Sequence, residues 1–170
     1  MQIRKADSRD AAFIALLARI TFTETFGHLF RDKQDLANYL AHTFGVQKIR
    51  TGLKKENNVF WLAYVDGLPV GYAKLKKNAP SPFLDGNGIG QLQKIYVLKD
   101  FLAQKIGRAL QDELLNYAKD SGMEKIWLSV LKSNERAIGF YQKHGFVSLG
   151  NHTFRIGKET FEFQAMYKEL

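Results

Sequence analysis

The sequence predicts a single α+β domain, residues 1–170, built on one mixed sheet, and three observations carry that expectation. Its 170 residues suffice for one well-cored domain but not comfortably for two. Apolar periodicity is helical up to about Lys55, then gives way to the aromatic and β-branched run Asn58–Val65. From Gln91 onward the chain alternates strand, loop, helix, strand, helix, strand, the order of a sheet with a parallel crossover.

The elements follow in order. Gln2 to Ala6 is a strand candidate. Ser8 reads as the N-cap of a helix over roughly Arg9–Phe26, with Phe13, Leu16, Leu17 and Ile20 at helical spacing. Asp32 can cap a second helix ending near Gly45, and Gln47–Lys55 forms a third. Asp66-Gly67 marks a hairpin between Asn58–Val65 and Pro69–Lys77. After a polar loop, Gln91–Val97 is a strand, Leu98–Lys105 a loop, and a helix starts near Ile106 with Leu110, Leu114, Tyr117 and Ala118 on one face. Lys125–Leu131 is a strand, expected to run parallel beside Gln91–Val97 and to part from it at the C-terminal ends. Ser133 reads as the cap of a helix stopped by Gly145, and Phe146–Leu149 and Thr160–Tyr167 close the chain as strands.

Composition narrows the function classes. With 45% hydrophobic and 25% charged residues the chain is neither disordered nor fibrous. It has no cysteine, which removes thiol nucleophiles, thiolate metal sites and redox switches. Met1-Gln2-Ile3-Arg4-Lys5 lacks the apolar stretch of a signal peptide, and no run approaches the roughly 18 apolar residues of a membrane span. The expectation is a cytoplasmic chain without membrane contact. The net charge of +8 asks for an anionic partner or a solvated face. Lys and Arg are scattered, and the densest patches, Lys74-Leu75-Lys76-Lys77 and Lys54-Lys55, are too short for a nucleic-acid arm. A solvated face, then a polyanionic small molecule, are the readings of those patches.

Four histidines, His28, His42, His144 and His152, show no metal-ligand spacing, and no metal is expected. Gly86-Asn87-Gly88-Ile89-Gly90 precedes a strand rather than opening a helix, so it is not a phosphate loop. Leu102-Ala103-Gln104-Lys105-Ile106-Gly107 has the required strand-to-helix context, with Lys105 and Arg108 adding positive charge. From these residues alone an anion cradle and an ordinary turn are equally open. Asn134 and Tyr141 lie seven residues apart, two helical turns, and so share a face.

In this order, QLQKIYV, LAQKIGRAL and WLSVLKSNERAIGFYQKHGFV resemble the Gcn5-related N-acetyltransferases. The family's loop Q/R-x-x-G-x-G/A aligns with Leu102–Gly107, and its block N-x-x-A-x-x-F-Y-x-x-x-G-F with Asn134, Ala137, Phe140, Tyr141, Gly145 and Phe146. Thr23-Glu24-Thr25-Phe26 and Gly150-Asn151-His152-Thr153-Phe154 bring the chain nearest the PaiA-type spermidine/spermine acetyltransferases. Two loop positions depart: Leu102 replaces Gln/Arg, and Lys105 replaces the first Gly, at a cost of roughly 1 kcal/mol if that position needs a positive φ.

The resemblance implies a GNAT-like sheet, splayed in the middle and flanked by helices. It implies acetyl transfer from acetyl-CoA to a primary amine of a small molecule, such as a polyamine, without an acyl-enzyme. Cofactor-binding residues would be Ile95, Tyr96, Val97, Leu102, Ala103, Gln104, Lys105, Ile106, Gly107, Arg108, Asn134, Tyr141 and Lys143. Tyr141 would protonate the departing thiolate, a transfer that asks for a slightly lowered tyrosine pKa. Relatives often carry the base on the strand that here holds Gln91 and Gln93, which cannot act as bases, so Glu24 is the candidate. Two other readings stay open on the sequence: a catalytically weak CoA-sensing domain, and a protein N-terminal or lysine acetyltransferase. A homodimer is also compatible with the resemblance.

Overall fold

The computed structural model describes residues 1–170. Seven strands form one sheet in the order β1-β2-β3-β4-β5-β7-β6. They are β1 (Gln2–Lys5), β2 (Asn58–Val65), β3 (Leu68–Lys76), β4 (Ile89–Val97), β5 (Lys125–Leu131), β6 (Val147–Ile156) and β7 (Glu159–Glu169). The helices are α1 (Ala11–Phe26), α2 (Lys33–Thr43), α3 (Val46–Leu53), α4 (Ile106–Asp120) and α5 (Glu135–Lys143).

All neighbours are antiparallel except β4 and β5. The β2–β3 hairpin turns on Asp66 (φ 50°) and Gly67 (φ 78°), the two left-handed residues that match the twist of the flanking strands. β4 runs antiparallel to β3 from Gly71↔Val97 to Lys76↔Gln91. Against β5 it pairs in parallel only over Ile89↔Lys125, Gly90↔Ile126 and Gln91↔Trp127. Beyond Gln91 the two strands separate, so the sheet is splayed where the sequence predicts it.

Both sheet faces are covered. In β2, Trp61 and Ala63 enter a core with α4, while Phe60 and Leu62 enter one with α1 and α2. This is the period-two alternation of a strand buried on both sides. Leu110, Leu114 and Ala118 of α4 are fully buried, as their spacing predicts.

Several boundaries differ from expectation. Asp7, not Ser8, starts the first helical segment. Its carboxylate accepts from the Arg9 amide, and Asp10 accepts from the Asp7 amide. Asn134 rather than Ser133 caps α5, accepting from the Ala137 amide at 3.1 Å. β6 runs on to Ile156 because every residue from Asn151 to Ile156 has a partner on β7. The face of α1 differs too. Phe13, Leu16 and Ile20 are exposed, and the buried face is Ala11, Ile14, Ala15, Leu17, Ala18, Thr21, Phe22 and Phe26. No helix is long and apolar enough to cross a membrane.

Candidate active site

Where β4 and β5 part, a cleft of about 850 Å³ opens between the C-terminal half of β4, the loop into α4, the start of α5 and the end of α1. The β4 backbone groups that point away from β3 have no strand partner beyond Gln91. An elongated ligand with amide groups can pair with them as an added strand would. Ile95, Tyr96 and Val97 line this wall.

The floor is the turn into α4. A 3₁₀ segment, Lys99–Gln104, leads to Lys105, whose backbone is left-handed at φ 60°, ψ 13°. The position therefore needs a positive φ, and a lysine meets it at a cost glycine would avoid. The first α4 bond closed from this turn runs from the Ala109 amide to the Lys105 carbonyl. The helical amides before it have no intrahelical acceptor and form an anion cradle at the positive end of the helix. Leu102, Ala103, Lys105, Gly107 and Arg108 all line the cleft. Two of the expected cofactor residues do not. Ile106 is fully buried in the core, and Gln104 is exposed and not among the residues that line the cleft.

The opposite wall is α5. Asn134, Ala137, Phe140, Tyr141 and Lys143 line it. The Asn134 carbonyl oxygen is occupied by the cap, which leaves its amide N–H groups for a ligand. Tyr141 is 7% exposed and packs edge-on against Phe140 and Phe146. Burial, with a smaller contribution from Tyr96, raises its pKa well above that of a free phenol. The expected lowering is therefore not found. The phenol stays protonated at working pH, the form an acid needs. A thiolate formed beside it would be desolvated by the same surroundings, which would raise its proton affinity in parallel.

Glu24, on the last turn of α1, is the single carboxylate lining the cleft, and it accepts from the Lys99 amide at 3.2 Å. Five cations line the same cleft: Lys99, Lys105, Arg108, Arg136 and Lys143. Sequence reasoning missed Lys99, Arg136, His28 and His144. Arg136 and His144 lie inside the contiguous Asn134–Phe146 segment and were legible there; Lys99 and His28 reach the cleft only through the tertiary fold. The His144 Nδ1 donates to the Phe140 carbonyl at 2.7 Å, and its Nε2 is buried without a partner.

A cleft with this charge, a helix N-terminus and an unpaired strand wall fits a long polyanion bearing amides, which is the chemistry of coenzyme A. Residues 17–146 match the model of the acetyltransferase (GNAT) family. The chain belongs to the GNAT family. Like its members, it is an acyltransferase with acetyl-CoA as co-substrate. An uncharacterised N-acetyltransferase of Lactobacillus delbrueckii subsp. lactis is 28% identical over 164 residues, 94% of this chain and 91% of that protein. Another, from Mycobacterium bovis, is 35% identical over 105 residues, 62% of this chain and 63% of that protein. Among solved structures, the PaiA N-acetyltransferase of Thermoplasma acidophilum in complex with coenzyme A superposes with a TM-score of 0.77. It is 20% identical and covers 99% of this chain and 98% of that one. At that identity the likeness is one of fold.

Proposed function

We propose that this GNAT member acetylates the primary amine of a small molecule by direct attack on the acetyl-CoA thioester. The observation that carries this reading is the splay after Gln91, which places Tyr141, Asn134 and Glu24 on the walls of one cleft. The cradle at Lys105–Arg108 would hold the phosphates, and Ile95–Val97 would pair with the amide-bearing arm. Backbone amides on that wall would stabilise the oxyanion as the amine nitrogen bonds to the carbonyl carbon. Glu24 would take the amine proton, directly or through water, and Tyr141 would donate to sulfur as the C–S bond breaks. The base is needed, since an amine of pKa about 10.4 is only about 0.04% neutral at pH 7.

A polyamine acceptor rests on the sequence resemblance to the PaiA-type enzymes alone. The residues that would bind it are sparse. Glu24 is alone on the cleft wall, Asp32 pairs with the Lys158 ammonium, and Asp35 accepts from the Lys158 amide. The deciding experiment follows thiol release from acetyl-CoA with a panel of amines: spermidine, spermine, neutral monoamines and amines bearing acidic groups. Amine-dependent release supports the enzyme. Acetyl-CoA binding without release for any amine would leave a cofactor sensor instead.

A further inference from the structure

A second cavity, of about 680 Å³, lies on the sheet face covered by α3. Its lining joins both basic patches of the sequence: Lys74 on β3 and Lys55 after α3, together with Lys94 on β4 and Lys48 on α3. No aspartate or glutamate lines it, and none of the four lysines belongs to an ion pair. Lys48 and Lys55 are exposed at the rim, whereas Lys74 and Lys94 are half-buried at the floor.

The floor lysines are direct partners across the β3–β4 pair. Each ammonium sits over an aromatic ring, Lys74 over Phe60 at 5.2 Å and Lys94 over Phe44 at 5.6 Å. Two adjacent, partly desolvated cations without a counter-charge repel one another, and an anionic ligand between them relieves that cost. The rings fix the ammonium groups in place but carry no net charge to neutralise them. The strain shows in both groups: burial lowers Lys94 to about 8, and burial with the neighbouring Lys94 lowers Lys74 to about 8.

This cavity shares a wall with the active-site cleft. Tyr72 of the cavity stacks on Tyr96 of the cleft, with ring centroids 6.0 Å apart. Lys94 lies two residues before Tyr96 on β4 and projects to the same face, roughly 7 Å away. We propose that the lysine cavity holds an anionic group of the acetyl acceptor, which makes the acceptor a primary amine bearing a carboxylate or phosphate. This rests on the acetyl-transfer reading above. The amine then reaches the thioester while its acid remains anchored beneath α3.

Two measurements test it. The first titrates inorganic phosphate and citrate calorimetrically into protein saturated with CoA, so that the cleft is filled. Saturable binding is expected, weakened at least tenfold in Lys74→Met/Lys94→Met and in the rim variant Lys48→Glu/Lys55→Glu, with CoA affinity within twofold of wild type. Absent binding, or binding that survives both double variants, overturns the cavity as an anion site. The second compares kcat/KM for ω-amino carboxylates and phosphates with that for neutral amines of equal length. The acidic amines should be preferred at least tenfold, through KM, and Lys74→Met/Lys94→Met should abolish the preference. Phosphate binding without that preference overturns the acceptor assignment. Acetylation of no amine at all overturns the acetyl-transfer reading, and the phosphate titration tells that failure from failure of the cavity.

Discussion

The Glu24 carboxylate accepts a hydrogen bond from the Lys99 backbone amide, tying the end of α1 to the loop between β4 and α4. The bond has a use in testing the base, because a glutamine can accept it equally well. Glu24→Gln should therefore leave the loop and the acetyl-CoA affinity in place and remove only the proton acceptor. The expected loss in kcat is about 10²-fold or more, partly recovered as rising pH supplies neutral amine. A variant with wild-type turnover at pH 7 would assign Glu24 to structure alone.

Tyr141→Phe keeps the ring packed between Phe140 and Phe146 and removes only the hydroxyl. General-acid catalysis is worth about 10² to 10⁴ in rate, so kcat should fall on that scale with acetyl-CoA affinity nearly unchanged. If more than about a third of kcat survives, the thiolate takes its proton from elsewhere. The raised pKa of Tyr141 adds a second readout: no basic limb attributable to this phenol should appear below pH 10.

Lys105 offers a test that separates backbone from side chain. Lys105→Gly relieves the left-handed strain at φ 60° and should stabilise the fold by up to about 1 kcal/mol in urea unfolding. Acetyl-CoA binding should weaken by no more than the loss of one screened charge. Reversing Lys105 and Arg108 together should weaken it strongly at low salt and less at high salt. A dissociation constant indifferent to both changes would remove these side chains from the phosphate site.

The floor lysines set an unusual pH dependence. Their folded pKa values, about 8, lie below the ordinary lysine value, so between about pH 8 and 10 the unfolded chain binds more protons than the folded one. Stability should accordingly rise with pH in that window, by of order 1 kcal/mol after screening. Lys48, Lys55 and Lys76 also face Lys74 and push the same way. Buried Tyr72, Tyr96 and Tyr141, raised above 10, reverse the slope at higher pH. Chemical denaturation of the ligand-free protein at pH 7, 9 and 10 checks this, and Lys94→Met should flatten the rise. Stability that is level from pH 7 to 9, below the onset of tyrosine ionisation, contradicts the account.

Most of the fold was legible where local chemistry and tertiary demand agree. The NVFWLAYV run, the Asp66-Gly67 turn and the single apolar face of α4 each describe their own environment. α1 was misread because its apolar residues surround the helix. The face that packs is the one carrying Ala11, Ala15 and Ala18, whose small size lets the helix approach the sheet. β6 was cut short because Asn151–Arg155 lacks alternation, and it is a strand on account of its pairing with β7. Cleft residues inside one contiguous motif could be named in advance. Lys99, His28 and the union of Lys55, Lys74 and Lys94 could not, since each depends on distant segments meeting.

The short β4–β5 ladder also divides the molecule mechanically. Strands β1 to β4 form one hydrogen-bonded unit and β5, β7 and β6 another, joined by three residue pairs. Besides those pairs, a few hydrogen bonds cross the seam at one end, from the Trp127 indole to the Ala79 carbonyl and from the Glu124 and Lys125 amides to the Gly88 carbonyl. Elsewhere side-chain packing spans it, with Trp61, Leu92, Leu110, Ile126, Leu128 and Met166 in one core. Apolar contacts are non-directional and tolerate small sliding, whereas a ladder of hydrogen bonds does not. The seam is thus a compliant joint between two stiff plates. Opening of the cleft is therefore expected to concentrate at this seam rather than within either hydrogen-bonded plate.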